Sequence, residues 1–177
     1  MKLIPLREKV LNEDGSFKGW IVKKFALVDD EDWEFLMQWK WYAAYAPNAH
    51  TFYAQHQAYF PDGTQKCIKM HRLIMQEFDR NVFIDHEGSD GLNNQKYNLR
   101  RSTRSQNGQN RKKNIKGTSK YKGVKRYPPK GNWVARISAN GKRYHIGYFD
   151  NENDAAIAYN EKAKQLHGVF AKLNIIQ

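Results

Sequence analysis

Val82-Phe83-Ile84-Asp85-His86 is an apolar run that ends in two chemically capable side chains. Behind it come the loop Gly88-Ser89-Asp90-Gly91, then Asn98-Leu99-Arg100, then Thr103-Arg104-Ser105-Gln106-Asn107. The run predicts a buried strand, and a glycine-rich loop at its end predicts that Asp85 and His86 emerge beside a solvent-accessible cleft. Thr103 and Gln106 have capping-box spacing, which starts a helix at Thr103 and puts Asn107 in its first full turn. A strand end and a helix start can thus face each other. Asp85 and Asn107 offer only oxygen ligands, suited to a hard cation such as Mg2+ that keeps several waters and also touches a phosphate. His86 can then take a proton from an attacking water.

Upstream, Leu3 to Val28 predicts extended segments joined at Asn12-Glu13-Asp14-Gly15, with Trp20, Val22 and Phe25 as inward residues. A short helix follows, capped by Asp29 or Asp30, with Trp33, Leu36, Met37 and Lys40 at helical spacing. Tyr42 to Tyr45 and Phe52 to Phe60 read as strands, Pro61-Asp62-Gly63-Thr64 as a turn, and Met70 to Phe78 as another short helix.

Downstream the charge changes character. Residues 1 to 98 hold twelve Lys/Arg against fourteen Asp/Glu, residues 99 to 130 hold twelve against none, and residues 131 to 177 hold six against four. The whole excess of the +12 chain therefore sits in one stretch, from Arg100, Arg101 and Arg104 through Arg111, Lys112, Lys113 and Lys116 to Lys120, Lys122, Lys125, Arg126 and Lys130. Such a block repels itself until a polyanion neutralises it, which points to nucleic acid. Cys67 is the only cysteine, so an intrachain disulfide and a zinc site built on several thiolates are excluded. No apolar run approaches a membrane span, and no signal-type core follows Met1, so the protein is expected to stay in the cytoplasm that made it.

A second domain is predicted from Ser119. Tyr121 to Tyr127, Trp133 to Ala139 and Lys142 to Phe149 are strand-like, separated by Pro128-Pro129-Lys130-Gly131-Asn132 and by the hairpin dipeptide Asn140-Gly141. A helix from about Asn151 to His167 buries Ala155, Tyr159, Ala163 and Leu166, and Gly168 stops it.

From Met70 to Arg111 the chain resembles the HNH, or His-Me finger, nucleases of the homing-endonuclease type found in phage and intron contexts. The resemblance runs through Met70-His71-Arg72-Leu73-Ile74, Asp85-His86, Gly91-Leu92-Asn93-Asn94, Asn98-Leu99-Arg100 and Gln106-Asn107. It implies a ββα-metal module in which Asp85 and Asn107 ligate a divalent cation, Mg2+ or Mn2+ and not zinc. By the same resemblance His86 is the general base, Asn98 holds the loop that carries it, and Arg100, Arg101 and Arg104 bind neighbouring phosphates. His71 lies in the resembling segment but reads as a structural hydrogen-bonding residue. His50, His56, His145 and His167 lack partners at ligand spacing and read as structural or exposed.

Ser119 to Asn174 resembles the APETALA or ethylene-response-factor domain, through Tyr121-Lys122-Gly123-Val124, Trp133-Val134-Ala135-Arg136-Ile137, Gly141-Lys142-Arg143, Gly147-Tyr148-Phe149, Asp154-Ala155-Ala156-Ile157-Ala158-Tyr159 and Ala171-Lys172-Leu173-Asn174. The resemblance implies three strands packed on one helix, with the exposed sheet face in the DNA major groove. Period-two alternation makes Val124, Val134 or Ile137, and Ile146 inward. Lys122, Lys125, Tyr127, Trp133, Arg136 and Arg143 are then candidates for the DNA face, Trp133 being equally suited to the core.

The expectation is an α+β chain in three parts. An HNH endonuclease domain with a β-rich N-terminal scaffold spans 1–111, a basic linker 112–118, and a DNA-binding domain 119–177. The protein would act as a monomer on double-stranded DNA, away from membranes, in a phage or bacterial host cell, with Arg111, Lys112 and Lys113 adding phosphate contacts. The alternative is a DNA-binding regulator that uses the same folds without catalysis.

Overall fold

In the computed structural model, Lys2–Leu11 (β1) and Phe17–Val28 (β2) form an antiparallel hairpin that turns at Asn12 to Gly15, where Gly15 takes φ 81°. The structure describes residues 1–113, 117–127, 129 and 132–176. Trp41–Ala46 (β3) runs parallel to β1, Thr51–Tyr59 (β4) pairs with β3, and Gln65–Lys69 (β5) with β4, giving a five-stranded sheet in the order β2-β1-β3-β4-β5. Ile4, Leu6, Ala26, Val28, Trp41 and Ala54 make its buried side. The inward expectation for Trp20, Val22 and Phe25 is corrected: they are 55%, 48% and 50% exposed. Phe25 alternates with buried Ala26 and so faces away from the core. Trp20 and Val22 lie beyond a register shift at which Leu6 pairs Lys24 but Arg7 pairs Val22, on a part of the hairpin that extends past the last core residue of β1.

Helix α1 (Asp30–Met37) buries Leu36, whose carbonyl accepts from the buried Trp41 Nε1 at 2.7 Å. Asp29 takes the N-cap position without capping; its carboxylate instead accepts from Gln95 Nε2 and the Lys96 amide. Helix α2 (Met70–Ile74) is shorter than the expected Met70–Phe78, because Gln76 turns to φ 48° just beyond the Met75 cap. Phe83–His86 (β6) and Leu99–Ser102 (β7) form a separate two-stranded ribbon.

The chain divides into two compact units, Met1–Ser102 and Thr103–Gln177. Helix α3 (Arg104–Gln109) therefore belongs to the second unit, whereas the sequence reading ended the first domain at residue 111. Residues 114–116 of the expected linker, and Pro128, Lys130 and Gly131 of the expected break between strands, lie outside the described residues.

The second unit contains Val124–Tyr127 (β8), Asn132–Ala139 (β9) and Lys142–Phe149 (β10) in the order β10-β9-β8, and helix α4 (Glu152–His167). Asn140 and Gly141 have φ 51° and 75°, the backbone that an Asn-Gly hairpin demands. Ala155, Tyr159 and Ala163 are buried as expected, Leu166 is half-buried, and Gly168 ends the helix at φ 53°. Asn151 caps α4 by accepting from the Asp154 amide at 2.8 Å. Gly123 has no substitute here. It sits at φ 74°, and a Cβ on it would lie 2.1 Å from the Tyr159 ring and 2.8 Å from the Arg136 carbonyl oxygen. Among the described residues no helix is long and apolar enough to cross a membrane.

Candidate functional site

The β6–β7 ribbon puts Asp85 directly opposite Arg100 and His86 opposite Leu99. Cross-strand partners on one face are close enough to bond. Arg100 accordingly reaches Asp85 Oδ2 through Nε at 2.9 Å and Nη2 at 2.8 Å, with Nη1 3.5 Å from Glu87. Arg101 bonds Glu77 Oε2 at 3.0 Å and the Met75 carbonyl at 3.3 Å. Both arginines, candidates for phosphate contact, are held by carboxylates of the first unit. The expectation that Asp85 and His86 emerge beside a cleft is corrected, since they are only 4% and 5% exposed.

His86 is oriented from several sides. Asn94, fully buried, donates through Nδ2 to the Leu92 carbonyl, so its oxygen faces the imidazole and accepts from His86 Nε2 at 3.2 Å. An amide oxygen can only accept, so the proton resides on Nε2 and the lone pair on Nδ1. Tyr53 and His71 pack on the ring, with centroids 5.5 and 4.9 Å away, the His71 contact edge-on. Burial pushes His86 below the ordinary histidine range, against the pull of Asn94, Asp85 and Asp90. His71 is pushed well below it, first by burial and then by His86, Lys69 and Arg72. Both rings are therefore neutral bases at neutral pH.

The loop after His86 is held by Asn98, which is buried. Its Oδ1 accepts from the Gly88 amide at 2.8 Å, its Nδ2 donates to the Asn93 carbonyl at 2.7 Å, and its carbonyl accepts from the Glu87 amide at 2.9 Å. Gly91 lets the loop approach β4: a Cβ there would lie 2.4 Å from the Phe52 carbonyl oxygen and 2.7 Å from the Tyr53 ring. Backbone bonds between Leu27 and both Leu92 and Asn94 fasten the same loop to β2. Asn94 belongs to a segment that carries the resemblance but was given no role there, and Tyr53 was not singled out. A buried amide that orients a histidine leaves no spacing signal of its own.

Asn107 lies half-buried on α3, in the second unit, whereas Asp85, His86 and Asn98 lie in the first. The predicted capping box is present: Thr103 Oγ1 accepts from the Gln106 amide at 3.2 Å, and Gln106 Oε1 from the Thr103 amide at 2.8 Å. Among the described residues no three His, Cys, Asp or Glu side chains gather to hold a metal ion.

Strand register sorts the second unit's candidate DNA contacts. Val124, Ala135 and Gly147 form one row, continued by Ile137 with Tyr144 and by Trp133 with Phe149; this face packs on α4. Trp133 is thus drawn to the core. The opposite face carries Lys125, Val134 and Tyr148 in one row, Arg136 with His145, Arg143 with Ser138, and Tyr127. Val134 is buried there, while Lys125, Arg136 and Arg143 are exposed beside an aromatic group in which Tyr148 meets Tyr127 at 5.1 Å and His145 at 4.8 Å. Lys122 is a second exception among the expected contacts. It is half-buried, and its ammonium donates to the Gln109 and Arg111 carbonyls. Among the described residues no carboxylate pairs with Arg104, Arg111, Lys112, Lys113, Lys125, Arg136 or Arg143.

Residues 119–169 match the AP2 domain family. The chain is similar to an uncharacterized HNH endonuclease of Acanthamoeba polyphaga mimivirus, 29% identical over 157 residues that cover 86% of this chain and 75% of the relative. Dehydration-responsive element-binding protein 2D of Arabidopsis thaliana is 44% identical over 57 residues, covering 31% of this chain and 27% of the relative. An AP2-like ethylene-responsive transcription factor of the same plant, TOE2, is 36% identical over 59 residues, covering 33% of this chain and 12% of the relative. The chain thus spans most of its viral relative but a minor part of its plant relatives. No solved structure matches it.

Proposed function

We propose that the protein is a divalent-cation-dependent DNA endonuclease of the homing type, placed on double-stranded DNA as a monomer by its C-terminal domain. The observation that carries this reading is the bonding of His86. A buried imidazole pushed below the ordinary histidine range donates from Nε2 to Asn94, which sets its tautomer, and sits on a loop clamped by Asn98. Similarity to an HNH endonuclease over most of the chain supports it.

In the reaction, His86 Nδ1 takes a proton from water as the oxygen attacks the scissile phosphorus and the 3' oxygen leaves. Asn94 Oδ1 accepts the Nε2 proton throughout and stabilises the imidazolium that forms. Asn98 fixes the approach of the ring by holding Gly88 and Asn93. Arg100 holds the Asp85 carboxylate in its orientation through Nε and Nη2. A carboxylate and a carboxamide are the oxygen donors a hard cation takes, and Asp85 and Asn107 would be the residues to hold Mg2+ or Mn2+. Such a cation would supply positive charge to offset the negative charge that develops at the phosphate. Arg104, Arg111, Lys112 and Lys113 neutralise neighbouring phosphates, while Lys125, Tyr127, Arg136 and Arg143 meet the groove.

Supercoiled plasmid incubated with Mg2+ should be nicked or linearised by the native protein. His86→Ala should cut about a thousandfold more slowly while binding DNA as tightly. A native chain that leaves plasmid and its own gene's flanking DNA intact across divalent metals would sink the enzyme reading. The second reading, a non-catalytic DNA-binding regulator, draws on the burial of Asp85 and its ion pair with Arg100. It predicts that inert result together with sequence-selective binding.

A further inference from the structure

Helix α3 has six residues, too few to be stable by its own backbone bonds. Its N-terminus is closed by the Thr103 capping box, and at its C-terminus the backbone bonds are long, Asn110 N to Gln106 O at 3.3 Å and Arg111 N to Gly108 O at 3.4 Å. The last carbonyls of a helix need other donors. One such donor is Lys122, whose ammonium bonds the Gln109 carbonyl and, at 2.8 Å, the Arg111 carbonyl.

Lys122 is itself fixed by the AP2-like domain. Its amide donates to Asn174 Oδ1 at 2.6 Å and its carbonyl accepts from Asn174 Nδ2 at 3.1 Å. Asn174 in turn exchanges two hydrogen bonds, at 2.7 and 2.9 Å, with the Asn160 side chain of α4. The next residue, Gly123, has its path set by Tyr159 and by the bond from the Arg136 amide to its carbonyl. A continuous chain of bonds thus runs from the middle of α4, through Asn160, Asn174 and Lys122, to the end of α3. No carboxylate pairs with Lys122 among the described residues, so its charge is met by carbonyl oxygens.

We propose that Lys122 is a positioning residue, not a DNA contact: it ties α3 to the folded AP2-like domain, so that the helix bearing Asn107 keeps its shape only while that domain is folded. Sequence reading and cutting would then be mechanically linked, and the C-terminal domain could not be removed as a separable address label. The consequence for cleavage rests on the endonuclease reading; the tether itself does not.

The test uses the full chain carrying Lys122→Met, which keeps most of the stem and removes the ammonium. Amide hydrogen exchange at Asn107 and Asn110, whose amides bond the Thr103 and Gln106 carbonyls, should quicken by about tenfold or more. The Arg136 amide, bonded to Gly123, should stay protected and so report an intact domain. Plasmid nicking should fall while DNA affinity and its salt dependence hold. Unchanged α3 exchange overturns the proposal, and so does a salt slope reduced by about one, which would make Lys122 a phosphate contact. If Lys122→Met unfolds the domain, the native protein decides by NMR titration of the Lys122 Nζ. Burial, with Lys172 and Arg111 nearby, should bring its midpoint down to about 8, whereas titration at the usual 10.5 overturns the tether. An inert native chain would sink the endonuclease reading and leave the exchange result to decide the tether alone.

Discussion

Arginines in β7 and arginines in the three-stranded sheet have different occupations, although the sequence writes them alike. Arg100 and Arg101 face Asp85 and Glu77 and are bound to them. Arg136 and Arg143 share a face with Lys125 and, among the described residues, meet no carboxylate. The acidic residues lie in the first unit, where the folding chain brings them back onto the start of the basic block. In the second unit they lie on α4 and at the end of β10, where Asp150 is bonded to Asn132. A run of positive charge along a chain is therefore not yet a surface for a polyanion; only the part that folding leaves without acids stays open to one.

The sharpest way to break this contrast is to remove the tied arginine. Arg100→Ala leaves Asp85 buried beside a lost partner and should cost the first unit about 3 kcal/mol in denaturant unfolding, with the salt slope of DNA binding unchanged. A reduced slope would mean that Arg100 reaches phosphate after all. Replacing Arg136 or Arg143 by Ala should do the reverse, leaving unfolding untouched and weakening binding by about 1 to 3 kcal/mol, measured by fluorescence anisotropy. Loss of stability instead of affinity would erase the distinction between the two sets. Changing Lys112 and Lys113 together to Ala should lower the salt slope by about two with a smaller loss of affinity at low salt, and an unaltered slope would place them off the phosphates. The smallest effect concerns acid. His71 is held below the histidine value of 6.5 by burial, so below 6.5 the unfolded chain binds the more protons. Its contribution to the stability of the first unit is complete above 6.5 and is lost as the pH falls through the folded value. His71→Gln should flatten that part of the acid limb in pH-dependent unfolding, and an identical limb would remove His71 from the account.

Where local chemistry decides, the sequence was legible. The Asn140-Gly141 hairpin, the Thr103 capping box and the Ala155, Tyr159, Ala163 stripe each depend on residues a few positions apart, and each formed as read. Long-range pairing was not legible. That Arg100 lies opposite Asp85 follows only from the β6–β7 register. Asn94 becomes an orienting residue only because β2 holds its loop, and Lys122 turns inward only because Asn174, far along the chain, takes its backbone. Strand β5, nearly all polar and exposed, owes its shape to hydrogen bonds with β4 and has no hydrophobic pattern to announce it. Trp20, Val22 and Phe25 looked like core because alternation gives two faces without saying which is covered.

Those uncovered side chains have a consequence for the substance as handled. β2 is a sheet edge that carries Phe17, Trp20, Ile21 and Val22 in the open, interleaved with Lys18, Lys23 and Lys24. An edge of this kind is a template for another molecule's edge, and lysines spaced along it keep like edges apart by repulsion. Concentrated salt shortens the reach of that repulsion while strengthening apolar contact, so solutions of this protein should be clearest at intermediate ionic strength and turn cloudy first when the hairpin lysines are neutralised.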